Sequence, residues 1–324
     1  MRSHHPHLAL TLLALFGFGL FLLFRASPAR AAASCAATTV SNVNFGSPSL
    51  LAGGTVDTSA TLSISCSGMK KGTLTYCLSL GAGSGGTSGT TRLMTATGGA
   101  NLQYNLYQDA ARTIPWGSKT NTALGIVGAF TFDGGSSPTG SFPIYGRILS
   151  GQNAAKPVSY SSAFSGADSQ FYALTPGATD CVTGALGPAP AISPPFSVLA
   201  SPIANCTVSA GSLSFGTRGS LASNTDVTGS VNVACTNTTP YTVGLGNGLT
   251  GTSPSARIMT SGSNQATYVL YSDSARTIVW SATTTVGSTG TGSTISHIVY
   301  GRVPGQTTPA PGAYSDSVVV TVTY

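Results

Sequence analysis

The sequence predicts an all-β chain of two tandem β-sandwich domains. Three observations lead there: a long internal repeat, a period-two alternation of apolar and polar residues, and six cysteines, four of which take matching places in the repeat. The 324 residues suffice for about two ordinary domains. Charged residues make up only 7%, against roughly 25% in average soluble domains, while apolar residues stand at 41%. Low charge with ample apolar content is not the composition of a disordered chain. It suits short strands joined by small-residue turns.

The repeat is the strongest element. Arg92-Leu93-Met94-Thr95 and the run from Tyr104 to Trp116 recur as Arg257-Ile258-Met259-Thr260 and the run from Tyr268 to Trp280. Ile144-Tyr145-Gly146-Arg147-Ile148 is answered by Val299-Tyr300-Gly301-Arg302-Val303, and Asn44-Phe45-Gly46 by Ser214-Phe215-Gly216. So many ordered matches mark a duplicated domain.

The cysteines follow from it. An even count in an exported chain reads as disulfides; zinc would need closely spaced Cys and His ligands, and no C-x-x-C occurs. Cys35 with Cys66 and Cys206 with Cys235 flank the same Phe-Gly motif. The repeat therefore pairs Cys35–Cys66 and Cys206–Cys235 and leaves Cys77–Cys181 private to the first domain.

Alternation supplies the strands. Thr61 to Cys66, Ser230 to Cys235 and Val318 to Tyr324 each place apolar residues on one face. Gly/Ser/Thr stretches such as Gly81 to Thr91 read as loops, and the Pro-rich stretch Gly187 to Pro195 as a linker. Several short strands with an inter-strand disulfide argue for a sandwich of immunoglobulin-like size. A transmembrane barrel would also end on an alternating strand with a terminal aromatic, but would not divide into two cysteine-matched repeats.

The N-terminus reads as an export signal over residues 1–32. Arg2 and a His-rich stretch precede an uncharged apolar run from Leu8 to Phe24, followed by Ala29-Arg30-Ala31-Ala32-Ala33. An uncleaved anchor is the competing reading. Cleavage would lower the formal charge from +6 to +3, and all eight acidic residues are Asp. No basic cluster longer than Lys70-Lys71 exists to follow phosphates, so nucleic acid is not an expected partner.

Catalytic motifs are weak. Gly81 to Gly86 matches G-x-G-x-x-G but lies in a loop with no helix after it. His297 is the one histidine after the signal and has no nucleophile motif nearby. Asp168 and Asp180 could approach in space, but no motif supports acid–base work. Asp109/Arg112 and Asp273/Arg276 are expected to fix a turn. An enzyme is not expected, nor is any cofactor or metal.

The set Phe-Gly, Arg-x-Met, Tyr-x-Leu-Tyr-x-Asp-x-Ala-Arg-Thr, Tyr-Gly-Arg and the ending Tyr314 to Tyr324 resembles the spore coat protein U domain, shared by secreted pilins of archaic chaperone–usher pili. The resemblance covers Cys206 to Tyr324 and, more loosely, Cys35 to about Leu174. It implies two immunoglobulin-like, pilin-type sandwiches, the second lacking its last strand. Val318, Val320, Val322 and Tyr324 would form the terminal strand of an acceptor groove. The implied partners are a periplasmic chaperone, an outer-membrane usher and a neighbouring pilin subunit, acting by donor-strand complementation.

The expected domains are 33–186, an adhesive module; 187–204, a linker that could complete it in cis; and 205–324, the pilin module. In such pilins the donor extension precedes the first cysteine, and a chain cleaved near residue 32 has almost nothing before Cys35. That suggests a tip subunit mediating attachment to an abiotic or host surface and biofilm formation, exported through the periplasm to the cell surface. A fibre-body or coat subunit and a secreted carbohydrate-binding sandwich are the alternatives. The first domain has an extra loop between Trp116 and Tyr145 that carries Leu124, Ile126, Val127, Phe130 and Phe132. These would bind a surface if exposed, or form an ordinary core strand and hairpin if buried.

Overall fold

The computed structural model describes residues 33–117, 125–181 and 191–324. The export signal at 1–32, Leu124 and the start of the linker lie outside the described residues. In the first half, alternation becomes β1 (Ser34–Val40), β2 (Val43–Asn44), β3 (Val56–Ser67), β4 (Gly72–Leu80), β5 (Thr87–Ser88), β6 (Thr91–Thr95), β7 (Asn101–Tyr107), β8 (Ile126–Phe132), β9 (Thr139–Ile148), β10 (Tyr160–Phe164), β11 (Ser169–Ala173) and β12 (Phe196–Ala200). The second half has β13 (Cys206–Ala210), β14 (Thr225–Cys235), β15 (Pro240–Leu245), β16 (Arg257–Ser261), β17 (Asn264–Tyr271), β18 (Val286–Thr289), β19 (Thr294–Val303) and β20 (Val320–Thr323).

Each half forms two facing sheets. The first has the order β1-β3-β9-β7-β6-β10-β12-β2, opposed by β11-β4-β8; the second has β13-β14-β19-β17-β16, opposed by β18-β15-β20. The repeats occupy equivalent strands: Tyr104 lies opposite Arg92 and Tyr268 opposite Arg257. Disulfides join Cys35 to Cys66 and Cys206 to Cys235 across directly opposed positions of β1/β3 and β13/β14. A third joins Cys77 on β4 to Cys181.

The repeated motifs have physical reasons. Gly146 and Gly301 sit where a Cβ would lie 2.7 Å from Val43 and 3.0 Å from Leu213, so Tyr-Gly-Arg lets the chain before β3 or β14 press onto the sheet. The Asp109 carboxylate accepts from the amides of Thr113 and Ile114, and Asp273 does the same for Thr277 and Ile278. Arg112 and Arg276 follow with positive φ of 60° and 58°. Their guanidinium groups turn away from the turn aspartate, toward Asp57 and Asp226 at 3.4 Å and the rings of Tyr145 and Tyr300. The aspartate and the arginine both fix the turn, the arginine through the carbonyl of Ala110 or Ser274, and the arginine also ties it to the sheet.

The linker holds a strand. Phe196–Ala200 pairs antiparallel with β10 along its whole length and parallel with β2 at Val198 and Leu199. Pro194, Pro195 and Pro202 flank β12 without entering it, so the ladder keeps its amides.

Two outcomes are expected. The Cys77–Cys181 bond closes 104 residues, which in the chain-entropy account corresponds to about 4–5 kcal/mol. Replacing both cysteines by alanine should lower the first module's calorimetric transition and leave the second in place; one unchanged transition would contradict this. Arg147 and Arg302 grip Asp57 and Asp226 with paired bonds of 2.7 and 2.8 Å. Those hydrogen bonds hold both carboxyls below the ordinary value of 3.8. A depressed folded pKa contributes stability above the unfolded pKa and loses it as pH falls through the folded one. Urea midpoints should therefore drop below about pH 4, with a shallower drop for Asp226→Asn.

Candidate functional site

Along one side the second sandwich is open. The segment from Ala210 to Phe215 forms one wall, residues Tyr314 to Val320 the other, and Leu245, Met259, Tyr268, Leu270 and Val299 the floor. They enclose a groove of about 350 Å³. Its apolar lining is half covered: Leu213, Phe215, Met259, Val318 and Val320 are partly exposed members of the second core.

The first module shows the same place filled. Thr95 meets Ser161 as Thr260 meets Ser315, so Tyr160, Ser162 and Phe164 correspond to Tyr314, Asp316 and Val318. There β12 lies in the groove, with Phe196, Val198 and Ala200 facing in at 5%, 0% and 1% exposure. Phe196 stacks on Phe164 at 4.6 Å. Val43, Phe45 and Met94, the equivalents of Leu213, Phe215 and Met259, are buried as a result.

Beneath the groove lies a buried arginine. Arg257 donates to the carbonyls of Gly246, Pro254, Leu245 and Trp280, at 2.8, 2.8, 3.5 and 2.7 Å. Arg92 holds Gly81, Leu80 and Trp116 in the first module. Burial pushes both guanidinium pKa values down. Above Arg257, the Tyr268 hydroxyl donates to Asp316 Oδ2 at 2.7 Å and the Leu249 amide to Oδ1 at 2.8 Å. Burial first, and the Asp316 carboxylate second, raise the Tyr268 phenol far above its ordinary range.

The sequence-predicted residues divide. Val318 and Val320 line the groove. Val322 pairs with Val243 further along β20 and packs against the core. Tyr324 lies past the strand, 57% exposed and outside the groove, which corrects its assignment to the groove strand. In the first module, Phe130 and Phe132 are core residues at 6% and 1% exposure, with Phe130 against Tyr76 at 4.7 Å. Ile126 and Val127 are half-buried in the same strand. The register of β8 on β4 turns this loop into a core strand, so the two phenylalanines are not surface contacts.

Phe171 and Tyr172 are both buried. They face Leu78 and Cys77, as Val322 faces Val243. A short 3₁₀ turn at Gly166–Asp168 precedes them, and the register places Phe171 at the position of Val322. Sequence reasoning missed Leu213, Met259, Tyr268 and Asp316; only the Phe215 motif hinted at that wall. His297 occupies the place of Phe142, with its Nε2 hydrogen-bonded to the Tyr241 hydroxyl at 2.9 Å.

A family model described as Spore Coat Protein U domain matches residues 21–165 and 193–321. Protein U of Myxococcus xanthus is 35% identical over 130 residues, covering 35% of this chain and 72% of that protein. A chain from the crystal structure of the CsuC–CsuE chaperone–tip adhesion subunit pre-assembly complex, from archaic chaperone–usher Csu pili of Acinetobacter baumannii, aligns with a TM-score of 0.53 at 16% identity. That alignment covers 90% of this chain and 100% of the other, and it speaks for the fold. The CupB6 tip adhesin of Pseudomonas aeruginosa aligns at 12% identity with a TM-score of 0.39, over 90% and 94% of the two chains.

If the arginine holds the groove floor, Arg257→Lys should cost roughly 1–3 kcal/mol, because one ammonium replaces a fork spanning several carbonyls. Chemical denaturation of the second module measures it; an unchanged midpoint would remove the arginine from this role.

Proposed function

The chain belongs to the Spore Coat Protein U domain family, and on that premise we propose that it is an adhesive subunit of an extracellular chaperone–usher pilus, seated at the tip. The observation that carries the reading is the contrast between the modules: β12 fills the first groove in cis, and the equivalent groove of the second stands open. A sandwich short of one strand exposes apolar core and unpaired backbone, which is an aggregation hazard. Strand addition relieves both, with backbone hydrogen bonds for affinity and alternate side chains for register.

On this reading a periplasmic chaperone lends the missing strand, and a neighbouring subunit replaces it during assembly at the usher. Residues 1–32 direct export, 33–186 carry the adhesive surface, 187–204 supply the completing strand, and 205–324 anchor the protein. A module finished by its own chain offers no further acceptor groove, which suits an end position. The likeness in fold to a tip adhesion subunit supports that position. The role is attachment to an abiotic or host surface and biofilm formation rather than catalysis.

The test is expression of the full chain in a periplasm with and without the chaperone encoded for the same pilus. A soluble one-to-one complex, and aggregation without the chaperone, is the expected result. A stable chaperone-free monomer would defeat the reading.

A further inference from the structure

The first module is an internal template for what the second will accept. β12 runs antiparallel to β10, and its inward residues meet those of β10 in pairs: Phe196 with Phe164, Val198 with Ser162, Ala200 with Tyr160. At the corresponding positions the second module has Val318, Asp316 and Tyr314. The last pair of positions is unchanged; the other two differ in a way that alters the chemistry of any incoming strand.

We propose that Asp316 selects the strand that completes the second module. That strand is an extended segment of another polypeptide, antiparallel to Tyr314–Val318, with Ser, Thr or Asn at its central inward position. Two residues before that comes a large apolar side chain, and two residues after it a small one. The inference rests on the groove being a strand acceptor, as proposed above.

The argument starts from hydrogen-bond capacity. A carboxylate oxygen has two lone pairs. Asp316 Oδ1 already accepts from the Leu249 and Ser317 amides, both at 2.8 Å. Oδ2 accepts from the Tyr268 hydroxyl at 2.7 Å, which leaves it one further lone pair, and the residue lines the groove. A strand lying over the groove removes water from that oxygen. A central valine, as in β12, would leave the lone pair buried without a donor, whereas a hydroxyl or amide would satisfy it. The difference should amount to roughly tenfold in affinity. Val318 is smaller than Phe164, so the residue facing it has more room to fill, which calls for a large apolar group.

The same arrangement disfavours this chain's own completing strand. With Val198 at its centre, the Phe196–Ala200 segment of one copy fits poorly in the second module of another. Asp316 thus works against strand exchange between copies, a repulsive element added to an attractive groove.

The test uses the purified full chain, kept with its chaperone where it needs one, and two labelled peptides. One has the sequence of residues 194–203; the other carries Val198→Thr. Uptake is read by fluorescence anisotropy. The threonine peptide should bind the wild-type chain about tenfold more tightly, and Asp316→Ser, which restores the first module's residue, should abolish or invert that preference. Asp316→Asn, which keeps an acceptor oxygen without the charge, should retain a weaker preference and serves if the serine variant does not fold. Equal binding of both peptides to the wild type would overturn the role of Asp316 and leave the acceptor groove intact. Failure of both peptides to bind, together with a chaperone-free monomer, would overturn the acceptor reading and this inference with it.

Discussion

Each module is organised around a guanidinium with no water to solvate it. Arg257 has 0% exposure and Arg92 4%, and both are held by main-chain carbonyls at the end of the central strand of the smaller sheet and at the tryptophan that recurs in the repeat. Where the chain leaves that strand to cross toward the other sheet, carbonyls lose their ladder partners, and buried carbonyls need donors. A planar fork of N–H groups supplies several at once. The tryptophan closes the same circuit, with its indole N–H on the carbonyl of Leu78 or Val243. The same polar junction underlies a filled groove in the first module and, in the second, an open groove. Its floor is tied by directional bonds to fixed backbone positions, and apolar contact alone would not impose those positions.

The duplication separates what the fold requires from what each module does with it. Asp57 and Asp226, Arg147 and Arg302, and the tyrosines beneath Arg112 and Arg276 are retained with nearly identical distances. These residues fix strand register and turn geometry. Two positions that face the groove differ: Ser162 against Asp316, and Phe164 against Val318. A module that receives its strand from its own chain needs only complementary volume. On the proposed reading the second module receives it from another chain and also needs discrimination, which the half-buried Asp316 carboxylate would supply.

The fold was largely legible because its signals are local. Period-two alternation, Gly-rich turns and a repeated thirteen-residue run state strand, loop and duplication without reference to distant contacts. The groove was less legible. Val318 and Val320 follow from the last strand, but the opposite wall comes from Ala210 to Phe215, a century of residues away. Nothing local marks Leu213 as its partner. The extra loop of the first module was ambiguous for a related reason. Phe130 and Phe132 read as a core strand and hairpin or as exposed tips, and the choice depends on pairing with β4, sixty residues earlier. Tyr324 failed at a finer scale, since alternation carries the pattern past the point where the ladder ends at Thr323.

The linker couples completion of one module to placement of the next. Only residues 201–205 separate β12, the last strand of the first sandwich, from β13, the first of the second. Asn205 in that short link donates to Ser49, while Asn153 and Asn237 donate across to the carbonyls of Gly292 and Ala154, at 2.7 and 2.8 Å. A strand tethered to its own domain has a high effective concentration, so the first groove closes without a partner. The second has no such tether within the described residues. Seating β12 therefore does two things with one segment. It finishes the first core, and it brings Asn205 to the surface that Ser49 presents. Tension applied to the second module would pass through that link into β12, which pairs with β10 at five positions and with β2 at two. A strand held on both edges and packed by Phe196, Val198 and Ala200 thus ties the first core to that link.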